Sequence, residues 1–544
     1  MRITHSIDAP SEGWNAFDSL DNMPESAAVI LNNLIPGAGD VETRKGHIVY
    51  EDLGTGEPVE TLASYNPDND SILIAASAGG IWELQDSVVE VATYASTEIA
   101  PPGTYANDRW QCENFQKADE QGIMAMCNGA DPTQIYNGNT LVDITITPSD
   151  PPGDEPDPDF IGCVAFKGRM YYWHDNDNAF WYSQAGSYQG ELQKFDLGSF
   201  VQQGGHIVTV FTWTQQDSGQ GYDDFIVFAF STGEILVYQG DDPQTAGYWE
   251  QVGRYRTAEP LGIRSQSQYG ADALLMTKDG YVSMSSIIQE GRTSDVPAFS
   301  RLIHREVVKV TRNNSDMFGW DVQLYPRDGL LIFNVPLSDD TFVQHVMNTV
   351  TQRWCQFNSM NTTCLEVHGD RLFGGMRDGT VIAMLEGTAD NGNPITFDCL
   401  YAFSYLGNPG KQKVLTGAQV LSTHSNPQEI NISGWADFSI PNLTPINLLG
   451  ALSQATWSVN PQGYVPPVAI PPPDQLPLPV PPSAQGSEWN EDYWSGQGAP
   501  YTTTGWQNVA AMGWAIALLV RFAKVNETVT WRSTTLGFHE IGAQ

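Results

Sequence analysis

Residues 205–243 read GHIVTVFTWTQQDSGQGYDDFIVFAFSTGEILVYQGDDP. Two runs, FIVFAF and ILVY, consist of residues that suit a pleated, packed surface, and Ser231-Thr232-Gly233-Glu234 between them is a turn. The stretch predicts a β-hairpin. The same arrangement, an apolar run, a short polar stretch with Gly and a second apolar run, recurs along the chain. It is found in ILIAASAGGIWEL around Gly80, IMAMCNGADPTQIYNG around Gly129 and CVAFKGRMYYW around Gly168. It returns in ALLMTKDGYVSM around Gly280, YPRDGLLIFNV around Gly329 and RLFGGMRDGTVIAM around Gly379. Glycine at these turns supplies a positive φ without a Cβ clash. Recurrence at roughly 40–65 residues points to the blades of a β-propeller, about six or seven of them and irregular in spacing. No WD or kelch tag is present, so an irregular all-β chain is the alternative.

The flanking sequence differs. In residues 1–50, PESAAVILNNL predicts a short amphipathic helix with Pro24 in its first turn. DPPGDEPDPDF (150–160) is an acidic, Pro-rich loop. From about residue 395 the repeat stops; TFDCLYAFSYL and QEINISGWADF predict strands of a second β-domain, and VNETVTWRSTTLGFHEI a closing strand pair. PQGYVPPVAIPPPDQLPLPVPPSAQG (461–486) is a Pro-rich insertion expected to lie extended along a surface. The predicted organisation is an N-terminal segment, 1–50, packing on a platform; a propeller, 51–394; and a β-rich platform or sandwich, 395–544. A chain of 544 residues is long enough for such a division.

Charge narrows the partners. Against 64 acidic residues stand 26 basic ones, a net charge of −38. Such a surface repels phosphate and anionic lipid, so it favours either solubility in a salty medium or a wall beside DNA that does not hold it. HREVVKVTR (304–312), the densest basic stretch, alternates as a charged strand would and does not form a reading helix. The start of the chain has no apolar h-region, so no signal peptide is expected. WAIALLV (514–520) is too short for a membrane span and predicts a buried strand, so no stable membrane insertion is expected. The six cysteines, Cys112, Cys127, Cys163, Cys355, Cys364 and Cys399, form no C-x-x-C pair and read as buried small hydrophobes; a Cys355–Cys364 bridge is the alternative.

Chemistry-bearing patterns are sparse. Nine histidines show no H-E-x-x-H spacing. His174 with Asp175 and Asp177 has oxygens suited to a hard cation, but the calcium-loop spacing is incomplete and an Asx turn is the simpler reading. Asp223–Asp224, Asp241–Asp242 and Asp339–Asp340 have the residue types of a glycosidase pair, yet adjacent aspartates ordinarily form turns. No nucleophile elbow or phosphate loop is present, nor the repeated Asp boxes of sialidase-type propellers. No catalytic, cofactor-binding or metal-binding residue is assigned, no cofactor is implied, and the chain is expected not to be an enzyme.

Taken in order, several segments resemble one family. GWNAFDSLDNMPESAAVILNNLIPGAGDVETRKGH, VETLASYN, DRWQCENF and MCNGADPTQIYNG are similar to the tail nozzle, or tail tubular protein B-like, subunits of short-tailed bacteriophages. The likeness is strongest across residues 205–243 and continues through FGWDVQLYPRDGLLIFNVP, QHVMNTVTQRWCQF, RLFGGMRDGTV and VTWRSTTLGFHEIG. This resemblance implies a propeller with β-rich platform parts, a ring of six copies below the adaptor and portal, and a channel through which double-stranded DNA leaves without specific binding. It also implies attachment of tail fibre, plug or needle proteins, a place in the virion tail, and synthesis in the host bacterial cytoplasm. The family carries no catalytic residues to transfer. A fibre- or receptor-binding adaptor and a propeller glycosidase are the competing readings.

Overall fold

FIVFAF is buried on both faces, and the reason is the fold. In the computed structural model, strand Gly221–Phe230 lies second in an antiparallel sheet with Ile207–Asp217, Glu234–Gly240 and Trp249–Arg256. Ile226, Phe228 and Phe230 pack toward the preceding sheet; Phe225, Val227 and Ala229 pack toward the following one. A strand sandwiched between neighbours reads as a continuous apolar run, not an alternating one. The structure describes residues 2–67, 71–85, 95–117, 122–148, 155–217, 221–245, 247–290, 299–424, 430–443, 501–502, 505–524 and 528–541. The chain is mainly β and divides into two units: residues 12–19 with 45–391, and residues 1–11 with 20–44 and 392–544.

The first unit is a propeller-like cycle of small antiparallel sheets. Val59–Tyr65, Ile72–Ser77, Gly80–Gln85 and Ala95–Ala100 make the first, and Gln111–Phe115, Ile123–Cys127, Gln134–Tyr136 and Leu141–Asp143 the second. Gly162–Phe166, Arg169–Trp173, Ala179–Tyr182 and Gln193–Asp196 form the third, and the sheet around FIVFAF the fourth. The fifth has three strands, Gln266–Tyr269, Asp272–Thr277 and Gly280–Ser283. Asp321–Tyr325, Leu330–Ser338, Thr341–Asn348 and Arg353–Phe357 make the sixth. Thr362–His368, Arg371–Met376 and Thr380–Met384 belong to the seventh, whose outermost strand is His47–Asp52, more than 300 residues earlier in sequence. The first strand of each sheet neighbours the first strand of the next, and Thr362–His368 returns to Val59–Tyr65. Every hairpin of the predicted repeat is present.

The uneven spacing of the repeat has a plain cause. In most sheets the quoted turn joins the second and third strands. In the third and sixth sheets, Gly168 and Gly329 join the first and second. The equivalent second-to-third turns there are Asp175–Asn178 and Asp339–Asp340, which carry no glycine. Asn176 takes the positive φ (57°) itself, as Asn tolerates.

The fifth sheet explains a correction. HREVVKVTR is not a strand: His304–Asn314 is an α-helix, with Val307, Val310 and Thr311 buried at helical spacing and Lys309 paired to Glu306 one turn back. Two residues of each period match a strand equally well, and tertiary packing decided. This helix lies against the fifth sheet, which has three strands among the described residues: Thr311 Oγ1 donates to the Lys278 carbonyl at 2.8 Å. At the edge of Gly280–Ser283 one side chain partners both main-chain groups of Tyr281. Ser300 Oγ accepts from the Tyr281 N–H at 3.0 Å and donates to the Tyr281 carbonyl at 3.3 Å.

The second unit is built from both chain ends. Thr530–Ile541 is central to one sheet, flanked by Gln412–His424 and by Ile3–Asp8. The ending predicted as a strand pair is one strand in this sheet: Gly537 does not adopt a positive φ, so no turn forms, and Ile3–Asp8 supplies the partner. The other sheet orders Ala27–Asn32, Ile395–Tyr401, Ile516–Lys524 and Asn431–Ala436. PESAAVILNNL is therefore turn and strand, not helix. Its Ala-Val-Ile-Leu run pairs with Ile395–Tyr401, and the Ala27 N–H closes a turn onto the Pro24 carbonyl at 2.9 Å. WAIALLV is a buried strand, as expected. Tyr401 of one sheet meets Trp531 of the other edge to face at 5.5 Å and shares a 2.9 Å hydrogen bond with Thr534. The Pro-rich insertion 461–486 lies outside the described residues, as do residues 150–154 of the acidic loop.

The structural boundary of the repeat falls at Asn391, and on the N-terminal side at Lys45. Residues 47–50 thus belong with the propeller-like unit. Gly46 is required at this crossing: a Cβ there would stand 2.0 Å from the Ala389 carbonyl oxygen.

Candidate functional site: the axis of the propeller-like unit

The first strands of the first, second, fifth, sixth and seventh sheets, with the residues leading into them, line a cavity of about 210 Å³ whose walls include Trp110, Asn114, Arg264, Asp321, Gln323 and Glu366. Arg264, from the connection into the fifth sheet, crosses to the first two. Its guanidinium donates to the Glu60 carbonyl, Thr61 Oγ1 and the Trp110 carbonyl, each at 2.7 Å. The ring of Phe318 lies beneath both Arg264 (5.3 Å) and Arg109 (4.5 Å), a stacked arrangement that arginine favours. Asp321 Oδ2 accepts from the Leu365 N–H at 2.9 Å, tying the sixth sheet to the seventh. Glu113 accepts from the Ala165 N–H at 3.3 Å, tying the second to the third.

These carboxyls are held toward their neutral forms. Burial, reinforced by the Asp321 charge, pushes Glu366 up to about 8. Burial alone raises Glu113 to about 7 against the opposing Ala165 N–H. Burial also raises Asp321, with Arg264 opposing it. Nearby, Asp108 is pushed up to about 6 by burial although it accepts twice from the Gly79 N–H, at 2.8 and 3.1 Å. That contact fixes the Ala78-Gly79 turn, where both residues have positive φ. Chemically, these contacts staple neighbouring sheets together. Raised carboxyls are also what acid–base catalysis needs, but the cavity is smaller than the ~300–1,000 Å³ of typical small-molecule sites.

Residues weighed from sequence sit elsewhere and apart. His174 bonds the Asp157 carbonyl at 3.0 Å and stacks on Phe160, while Asp177 Oδ1 accepts from Asn178 and Ala179 in an Asx turn. Asp224 pairs with Lys167 at 2.9 Å, which holds its carboxyl below the ordinary range, and accepts from Thr214. Asp242 accepts from Thr245 at 2.6 Å, and the Asp241 carbonyl accepts from Arg169. Asp340 pairs with Arg377 at 3.1 Å. Asp223 lies in a strand whose side chain is outside the described set. Asp223–Asp224 lie within strand Gly221–Phe230, whereas Asp241–Asp242 and Asp339–Asp340 lie at two separate turns. All six cysteines are free thiols; Cys355 and Cys364 lie in different sheets. Among the described residues, no group of three or more His, Cys, Asp or Glu is placed to hold a metal ion, and no helix is long and apolar enough to cross a membrane.

The axial residues Glu113, Arg264, Asp321 and Glu366 were not singled out from sequence. A usable signal existed: Glu113, Asp321 and Glu366 each stand in the first strand of a repeat, where a charge interrupts an otherwise strand-like run.

No protein-family model matches the chain, and no curated protein sequence does. Solved structures that overlap it include the computationally designed Ika8 protein, at 10% identity and a TM-score of 0.34, covering 62% of this chain and 99% of that one. BBS1N in complex with ARL6DN overlaps at 12% identity and a TM-score of 0.39, covering 64% of this chain and 100% of that one. Likeness at that level carries no argument; the cycle of sheets is defined by its own strand order and register.

Proposed function

We propose that this chain is a structural subunit of the tail nozzle of a short-tailed bacteriophage. In this reading it is a seven-bladed propeller joined to a two-sheet β platform. Six copies form a ring around the passage for outgoing DNA and offer docking surfaces to adaptor, fibre and plug proteins. The observation that supports this best is how the chain is sealed. The last sheet of the cycle is completed by His47–Asp52, and the two ends of the chain pair as Ile3–Asp8 with Thr530–Ile541. Both units are thus closed by contacts between sequence-distant strands, a construction suited to a stiff wall.

Charge supports the same reading. A wall of net negative sign offers phosphates nothing to grip and repels the duplex within a Debye length of roughly 8 Å. The passage is the space that the copies enclose together, since the axial cavity of about 210 Å³ in one copy admits no duplex. End-on electron microscopy of the purified chain tests the proposal: six-membered rings are expected. A chain that stays monomeric and cleaves glycans would replace it with the glycosidase reading, and one that adsorbs alone to host cells with the receptor-binding reading.

A further inference from the structure

In a chain of net charge −38, residues 299–312 carry four basic side chains against one acidic, a net +3. Arg305, Lys309 and Arg312 stand at i, i+4 and i+7 of the helix His304–Asn314, so they share one face. All three are exposed, while Val307, Val310 and Thr311 are buried on the opposite side. Arg301, in the turn before the helix, extends the row: its guanidinium and that of Arg305 both lie over the ring of Phe17, at 5.4 and 5.6 Å. Acidic neighbours offset the row in part. Lys309 pairs with Glu306 at 2.8 Å and Arg301 reaches Asp18 at 3.9 Å, while Arg305 and Arg312 have no carboxylate partner among the described residues. The row ends at a cavity of about 430 Å³, within the ~300–1,000 Å³ of sites that enclose a ligand. Phe299, Leu302, Met347 and Trp354 give it apolar walls, and Arg301 and Arg353 supply its charge. Arg353 also pairs with Glu12 at 2.6 Å. All of these residues belong to the propeller-like unit.

We propose that the row and the cavity together bind an acidic peptide segment of a partner protein: an aromatic side chain enters the cavity, and carboxylates lie along Arg301, Arg305 and Arg312. Charge complementarity sets the occupant. A short acidic segment meets the local positive charge, whereas a polynucleotide, charged at every nucleotide, is repelled by the rest of an acidic chain. Apolar walls beside arginines suit an aromatic residue flanked by carboxylates, which arginine holds by paired hydrogen bonds. The inference concerns one unit of one copy and is independent of ring formation.

Fluorescence anisotropy of a labelled nonapeptide, four glutamates on each side of one phenylalanine, tests this on the full chain. Binding is expected at about 50 mM NaCl and should weaken at about 300 mM, as salt screens it. Arg305→Glu/Arg312→Glu should weaken binding at least about 10-fold, and Lys194→Glu/Arg256→Glu, the same charge change at exposed positions elsewhere in the unit, less than about 3-fold. Replacing the peptide's phenylalanine by alanine, or filling the cavity by Thr351→Trp, should each weaken binding at least about 10-fold. Thermal unfolding of both charge-reversed pairs should match wild type; if Thr351→Trp unfolds early, the alanine peptide decides the role of the cavity with the protein unchanged. No binding at about 1 mM peptide, equal loss in the two charge-reversed pairs, or undiminished binding of the alanine peptide overturns the proposal. Tighter binding of an oligothymidylate of equal charge, lost in Arg305→Glu/Arg312→Glu, overturns it in favour of a nucleic-acid site. Each of these results leaves the ring reading standing.

Discussion

Replacing Glu366 with glutamine should stabilise the propeller-like unit at alkaline pH and change it little at acidic pH. Glu366 has its folded-state value raised from 4.5 to about 8 by burial and by Asp321. A raised carboxyl costs nothing below its unfolded value. The cost grows as pH climbs from about 4.5 to about 8, then stays constant above that. At 1.36 kcal/mol per pH unit the full cost is about 5 kcal/mol. Solvent reaching the half-buried side chain reduces the expected effect to about 2–3 kcal/mol. Glutamine keeps the shape and the acceptor for the Ser64 N–H and removes the charge. Hydrogen exchange of the strands around the axis, with urea unfolding at pH 5 and pH 9 and fixed ionic strength, measures this locally as well as globally. The variant should gain about 2–3 kcal/mol over wild type at pH 9 and less than ~0.5 kcal/mol at pH 5. An equal difference at both pH values would refute the claim that Glu366 is penalised for ionising.

Three further outcomes follow from packing. Tyr50→Ala removes a fully packed ring from the strand that completes the seventh sheet, where it meets Phe373 edge to face at 4.9 Å; a loss of about 3–5 kcal/mol is expected, with faster exchange along His47–Asp52. Gly46→Ala places a Cβ against the Ala389 carbonyl oxygen; the overlap should cost more than about 3 kcal/mol and lower the melting temperature without altering Asp52 or Thr380 contacts directly. Ser300→Ala leaves the Tyr281 N–H and carbonyl of the three-stranded sheet unpartnered; about 2–4 kcal/mol should be lost, and Ser300→Thr should recover most of it in denaturant titrations.

The sequence by itself determined the material of this protein. Glycine turns between apolar runs dictate hairpins, because a positive φ at Gly233 or Gly379 reverses the chain without a Cβ clash. Runs such as FIVFAF announce strands packed on both faces, and the acidic composition disfavours a surface that grips phosphate. What sequence left undecided was everything set by distant partners. AAVILN and VVKV each satisfy strand and helix periodicity over so few residues that burial had to choose: Ala27–Asn32 found a strand edge in Ile395–Tyr401, and His304–Asn314 packed against Gly280–Ser283 and Leu330–Ser338. Whether Leu536-Gly537-Phe538 turns or runs straight was decided by the chain's own beginning, which lies beside it. The axial charges were invisible for the same reason. Glu113, Asp321 and Glu366 are ordinary strand residues until closure of the cycle removes water around them, and only then does burial, with the Asp321 charge beside Glu366, raise their carboxyls. Local rules act over a few residues, whereas closure joins strands hundreds of residues apart, and no local pattern encodes which edge will be vacant when they meet.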